Sequence, residues 1–304
     1  MSRILVIGSD NPVTHSIGDI LAASGLPIEY AAGPVGALQR MRMQSFAIAI
    51  TSPGTTLEED LALLDEMRHI RPAIKCISLA PSSTPDEVIA ALRAHVFACF
   101  TAPFDPESIA AIARDAASSD PREDDIQVLS ARPGWVSVRA NCQILTAERL
   151  MTFARELSTQ MEEDMRQELL HGLREILLNA IEHGAAFNSQ QRIDVTAIRT
   201  SRAFVFYVRD PGSGFRQESL SPNIIAQPGS DPIEHIQKRE EEGLRPGGFG
   251  LLLAKGTVDE LLYNEIGNEV LLIKHLDRTP EVQITEAQST KSQGHEAQGQ
   301  AQVH

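Results

Sequence analysis

The chain has 304 residues, 42% hydrophobic and 22% charged, a balance typical of globular proteins and long enough for two domains. Its formal net charge of −14 disfavours direct contact with nucleic acid or an anionic membrane, although backbone N–H groups and a metal can still hold the phosphates of a small nucleotide. Cys76, Cys99 and Cys142 form no C-x-x-C pair, the N-terminus has no leader pattern, and no apolar run is long enough to span a bilayer, so a soluble protein of a reducing cytoplasm is expected.

Short apolar runs predict strands at Ile4–Ile7, Pro27–Ala31, Ala47–Thr51, Ile74–Leu79 and Ala98–Thr101. Amphipathic stretches between them predict helices at Val13–Ala23, Val35–Met43, Leu57–Ile70, Pro85–Ala94 and Pro106–Ala117. Strict alternation of buried strands and helices implies a parallel sheet covered on both faces, here an α/β flavodoxin-like domain with a five-stranded parallel sheet over residues 1–118. The polar, proline-containing run Ser118–Asp125 suggests a linker, which is expected over residues 119–131.

A second unit, expected over residues 132–278, starts with a strand at Trp135–Ala140. Thr146 is expected to cap a helix running from Ala147 to Gln160, and a long helix is predicted from Glu163 to Glu182. Strands follow at Arg192–Ile198 and Ala203–Arg209, a helix at Gly250–Val258 and a final strand at Glu269–Lys274. Strands and helices no longer alternate strictly, which favours an α+β sandwich. Residues 279–304 contain no aromatic side chain and are rich in Gln, Ser, Thr and Glu; they are expected to be a disordered tail.

Three segments of the second unit bear chemistry. In Arg174–Gly184, Glu175, Asn179 and His183 recur every fourth residue and share one helix face beside an apolar stripe. A solvated helix face would give the same pattern. The strand Val205–Arg209 leads into Asp210-Pro-Gly-Ser-Gly, which sets a carboxylate at a strand end before a turn built for close backbone approach by Gly212 and Gly214. An ordinary hairpin would also look like this. Gly247, Gly248 and Gly250 form a glycine-rich loop entering an apolar helix, where unpaired N–H groups and the helix dipole favour an anion.

Residues 1–118 resemble the receiver domain of response regulators, most closely at Phe100-Thr-Ala-Pro-Phe-Asp105. The resemblance implies an acidic pair where Gly8-Ser9 stand, a phosphate-accepting aspartate where Ser52 stands, a hydroxyl at Ala80 and a lysine at Ala102. Those replacements remove the Mg²⁺ cage, the acyl-phosphate nucleophile and the counter-charge, leaving a pseudo-receiver suited to docking or dimerisation.

The three motifs of the second unit, in this order, resemble the GHKL ATP-binding fold of gyrase, histidine kinases and anti-sigma-factor kinases over roughly residues 132–276. The run ending at Gly184, the short sheet and the lack of insertions are most similar to the anti-sigma-factor serine/threonine kinase branch. The resemblance implies ATP and Mg²⁺ as ligands. Asn179 would hold the metal, and Glu175 would act as general base or orient the attacking hydroxyl. Asp210 would accept from the adenine amino group, with Gly212 and Gly214 shaping that pocket. Gly247, Gly248 and Gly250 would line the triphosphate, His183 would support the phosphate end or pack beneath a lid, and residues 216–244 would form that lid. The partners implied are an anti-sigma-antagonist-like domain bearing Ser or Thr and a sigma factor, with a homodimer expected from both families. A nucleotide-dependent binding switch without phosphoryl transfer fits the same motifs. A sensor histidine kinase fits less well, because no helical pair precedes residue 132 and His171 shares a helix with Asn179.

Overall fold

The structure, a computed structural model, describes residues 3–8, 10–118, 125–214, 254 and 256–276. In the first unit the elements alternate strictly. They are β1 (Ile4–Ile7), α1 (Pro12–Ala23), β2 (Ile28–Ala31), α2 (Pro34–Met43), β3 (Ile48–Ile50), α3 (Leu57–Ile70), β4 (Lys75–Ala80), α4 (Pro85–Arg93), β5 (Ala98–Thr101) and α5 (Pro106–Ser118). The strands form one parallel sheet in the order β2-β1-β3-β4-β5, the flavodoxin-like wind expected from the sequence.

Side-chain alternation divides the core in two. Leu5, Ile7, Ala49 and Cys76 face α2, α3 and α4, while Ile4, Val6, Ile48, Ile50, Ile77 and Leu79 face α1 and α5. Local chemistry starts the helices where the sequence indicates. Thr56 with Glu59, and Thr84 with Glu87, make reciprocal capping boxes on α3 and α4, and the Asn11 carboxamide oxygen caps α1.

At the ends of β1 and β3, Gly8 and Ser52 pack together. Gly8 has φ +90°, and a Cβ there would lie 2.6 Å from Ser52 Oγ. Beneath them the buried carboxylate of Asp60, on α3, accepts from the hydroxyls of Thr51 (2.6 Å), Thr55 (2.7 Å) and Ser78. Burial raises its pKa, the three hydroxyl donors offsetting part of that rise.

The second unit contains β6 (Ile126–Arg132), β7 (Trp135–Asn141), α6 (Ile144–Leu157), α7 (Glu163–Asn179), β8 (Arg192–Arg199), β9 (Ala203–Arg209), β10 (Glu260–Tyr263) and β11 (Glu269–His275). The strands form an antiparallel sheet ordered β10-β11-β9-β8-β7-β6. One face, including Val138, Val195, Phe204, Phe206, Val208 and Leu272, is buried beneath α6 and α7. The other face is open and bears Trp135, Arg139 and Arg209.

Four expectations need correction here. Residues 126–131, assigned to the linker, belong to the edge strand β6, which runs on through Arg132. A further edge strand, β10, was not foreseen. Thr146 does not cap α6. The helix begins at Ile144 after Gln143, and the Thr146 hydroxyl instead donates to Asp125 Oδ2 at 2.7 Å, so a tertiary partner overrides its capping preference. The long helix stays α-helical only to Asn179 and then widens into a π-helical turn, Ala180–Gly184. The expected helix Gly250–Val258 lies mostly outside the described residues, and residues 119–124 and the tail lie outside them entirely.

The two units share one core. Leu92 of α4 lines the same narrow apolar gap as Val138, Leu150, Phe153, Leu173 and Phe206. The helix α6 packs against α4, β5 and α5, and Arg93 on α4 donates to the carbonyl of Ala131 on β6.

Candidate nucleotide site

The site grows from the end of α7. Apolar residues Leu169, Leu173, Ile176, Leu177 and Ala180 bury one face of this helix, which leaves Glu175 and Asn179 half-buried beside it. Gly172 lets the segment after the glycine-rich loop approach: a Cβ there would lie 3.0 Å from Thr257 Oγ1 and 3.2 Å from Val258 Cγ1. The buried Lys274 ammonium holds the same segment to α7, donating to the Thr257 carbonyl (3.3 Å) and pairing with Glu168 (2.6 Å) and Asp259 (3.2 Å).

Past Asn179 the four-residue spacing fails. The Ala185 N–H reaches back five residues to the Ala180 carbonyl at 2.8 Å, and this wider turn changes the phase of the side chains. Glu182 is carried inside, its side chain 3% exposed, while His183 is turned outward at 57%. The shared face expected for Glu175, Asn179 and His183 therefore stops at Asn179. The chain leaves the turn through Ala186 and Phe187 at φ 48° and 58°, a left-handed pair without glycine, which is uncommon and concentrates at functional segments.

Opposite this turn stands Asp210, the first residue beyond β9. Its N–H donates to the Asn268 carbonyl at 3.0 Å, and its Oδ1 accepts from Gly212 N–H at 2.7 Å. A Cβ on Gly184 would lie 2.6 Å from Asp210 Oδ1, and one on Gly212 would lie 2.8 Å from the Gly184 Cα. Asp210, Gly212 and the end of the α7 motif thus meet at glycine contact distance. Burial raises the Asp210 pKa, and the Gly212 N–H offsets part of that rise. Two neighbours respond in turn: burial, reinforced by the Asp210 charge, pushes the Cys142 thiol up to about 11 and raises the Tyr263 phenol as well.

The β10–β11 turn braces the Asp210 loop. Asn264 Oδ1 accepts from the N–H groups of Gly267 (2.7 Å), Asn268 (3.1 Å) and Glu269 (3.2 Å), and Asn268 Nδ2 donates to the Gly212 carbonyl at 3.4 Å. Gly214 adopts φ +78°, and a Cβ there would lie 2.1 Å from the Ile266 carbonyl oxygen, so no other residue fits. A cavity of about 330 Å³ flanks Asp210, lined also by Arg139, Arg192, Asp194 and Arg209. It includes neither Glu175 nor Asn179, and Arg139 is held there by two bonds to Asp194 at 2.6 and 3.0 Å.

The structure therefore gathers Gly184, Asp210, Gly212 and Gly214 around one loop at the end of the helix that bears Glu175 and Asn179. Gly247, Gly248, Gly250 and the lid expected at 216–244 lie outside the described residues. Sequence reasoning gave no role to Gly184, Asn264, Asn268 or Tyr263. Only Gly184, which closes the helix motif, and the Asn264-x-x-Gly-Asn turn pattern offered a signal.

Residues 140–274 match the family model of the histidine kinase-like ATPase domain. The match spans Glu175, Asn179, Asp210 and the glycine-rich loop, and it supports ATP binding and, in general terms, ATP-dependent phosphotransfer by a GHKL-type domain. The solved structures that match include receiver domains. The CheY-like response regulator receiver domain protein from Methanospirillum hungatei JF-1 is 22% identical with a TM-score of 0.35, over 38% of this chain and 94% of its own. A response regulator from Thermotoga maritima is 17% identical with a TM-score of 0.35, over 39% of this chain and 100% of its own. Chemotaxis protein CheY4 from Vibrio cholerae is 15% identical with a TM-score of 0.34, over 38% and 98%. No curated protein sequence matches. Among the described residues no helix is long and apolar enough to cross a membrane.

Proposed function

We propose that this protein binds ATP with Mg²⁺ in its second domain and transfers the γ-phosphoryl group to a serine or threonine of a partner protein, as the resemblance to anti-sigma-factor kinases suggests. The observation that carries this reading is the meeting of Gly184, Gly212 and the Asp210 carboxylate at the end of the Glu175–Asn179 helix. A methyl group on either glycine would fill the cradle, and an acceptor carboxylate at a strand end suits an adenine amino group.

Bound ATP supplies the phosphoryl group, and the chain supplies positioning and charge control. Asp210 accepts from the adenine, with Gly212 and Gly214 giving its ring room. Asn179 would hold the metal. Glu175, one turn before Asn179, takes the proton of the attacking hydroxyl. The outward His183 is available to a lid or a partner rather than to the metal. Gly247, Gly248 and Gly250 line the triphosphate.

The partner in this reading is a small anti-sigma-antagonist-like domain in the bacterial cytoplasm, with a sigma factor as a second ligand and a homodimer as the working form. A second reading, a binding switch that holds ATP without transferring phosphate, draws support from the close packing of the pseudo-receiver on α6. Incubation with γ-labelled ATP and such a domain separates the two. Acid-stable, base-labile label on the partner, lost in Glu175→Ala, is expected. Label unchanged by Glu175→Ala contradicts the assigned base, and base-stable label points to phosphohistidine chemistry.

A further inference from the structure

The helix α6 belongs to the ATPase domain, yet two of its buried charged side chains point into the pseudo-receiver. Arg149, 5% exposed, donates through Nε to the Phe97 carbonyl at 2.8 Å and lies 3.9 Å from the Phe97 ring centroid, while its other end pairs with Asp125. Two turns later Glu156, 1% exposed, has no such cationic partner among the described residues of the receiver. Its carboxylate accepts instead from the Thr101 N–H (3.3 Å), from the Thr101 hydroxyl (2.9 and 3.1 Å) and from the Ser83 hydroxyl (3.0 Å).

Thr101 ends β5 and Ser83 lies in the loop between β4 and α4, so both sit at the C-terminal edge of the parallel sheet, the edge where open α/β sheets take ligands. Glu156 therefore meets that edge of the receiver with a carboxylate supplied by the other domain. A buried carboxylate held by neutral donors is tolerated only while all of them are in place, and losing one leaves the charge undercompensated. The contact is thus close to all-or-none. Two turns before Glu156 on α6, Glu148 pairs with Arg174 at 2.7 Å, and Arg174 immediately precedes Glu175 on α7.

We propose that Glu156 is a latch by which the pseudo-receiver controls α6 and α7 and, through them, the nucleotide site. Its sockets are Ser83 and Thr101, and any event that alters those hydroxyls releases it. The effect on nucleotide rests on the ATP reading above; the mechanical link between receiver and α7 does not.

The test uses the full chain and three variants, Ser83→Ala, Thr101→Val and Glu156→Gln, none of which removes large buried volume. Hydrogen exchange is read for amides of Glu163–Asn179, alongside ATP affinity in magnesium buffer. Each variant is expected to speed exchange along α7 by about fivefold, the range of a modest coupling between sites. The Thr101→Val/Glu156→Gln pair is expected to exceed neither single change by more than twofold, since both open the same latch. Unchanged α7 exchange in all three variants, or fully additive effects in the pair, overturns the latch. If the wild type takes up no ATP, the nucleotide reading fails, and the exchange result still decides the mechanical link.

Discussion

Gly184→Ala isolates the cradle from the rest of the fold. Gly184 is not among the residues with positive φ, so the substitution adds no backbone strain. The new methyl would lie 2.6 Å from Asp210 Oδ1 and 2.8 Å from its Cβ and Cγ, well inside contact distance. Asp210 must swing away, breaking the 2.7 Å bond from Gly212 N–H. Overpacking of this kind costs about 1–3 kcal/mol of stability, and a kcal/mol corresponds to roughly 2–4 °C in a domain of this size. Displacing a charged acceptor from the ligand forfeits about 1.5–3 kcal/mol of binding, a loss of roughly tenfold to a hundredfold in affinity. Competition of ATP against a fluorescent nucleotide, followed by anisotropy in magnesium buffer, measures that loss, and circular dichroism confirms that the variant is folded. Gly36→Ala, where a Cβ meets nothing nearer than 3.8 Å, is the control and keeps wild-type affinity. A folded Gly184→Ala protein binding ATP within twofold of wild type refutes the cradle.

Two further expectations concern buried charge. Asp125→Ala strips Arg149 of its ion-pair partner and Thr146 of its acceptor, so urea titration should show a loss of about 3 kcal/mol, whereas a change under 1 kcal/mol contradicts the pairing. Because burial raises the Asp60 pKa, the folded state binds that proton more tightly than the unfolded chain, so stability falls as pH rises from about 4 through the folded pKa and is flat beyond it. Asp60→Asn removes this slope: urea midpoints between pH 4 and 7 should shift progressively in favour of the variant, and the opposite trend contradicts the assignment. Glu156 and Asp210, raised in the same direction, are present in both chains and cancel in the comparison.

The parallel sheet was legible because its central strands are buried on both faces and read as uninterrupted apolar runs, as in Ile4–Ile7. The edge strands of the second sheet were not. β6 alternates exposed Gln127, Leu129 and Arg132 with buried or half-buried neighbours, is bulged between Val128 and Ser130, and follows a charged stretch that reads as linker. β10 spans only Glu260–Tyr263 and gains its meaning from pairing with β11. Residue type and spacing singled out Glu175, Asn179 and Asp210, and the structure sets Asp210 against Gly184 at the end of the helix that carries the other two. The outward turn of His183 was not legible, because helical spacing arithmetic holds only while the helix keeps its pitch, and it widens at Ala180. The contact of Glu156 with Ser83 and Thr101 spans 73 and 55 residues of chain, a separation that no local pattern records.

Isothermal titration of the full chain with ATP in magnesium buffer tests the central assignment most directly. Saturable uptake of one nucleotide per chain is expected, with affinity falling at least tenfold in Asn179→Ala and in Asp210→Asn. Absence of saturable heat in the wild type, or equal affinities in all three proteins, contradicts it.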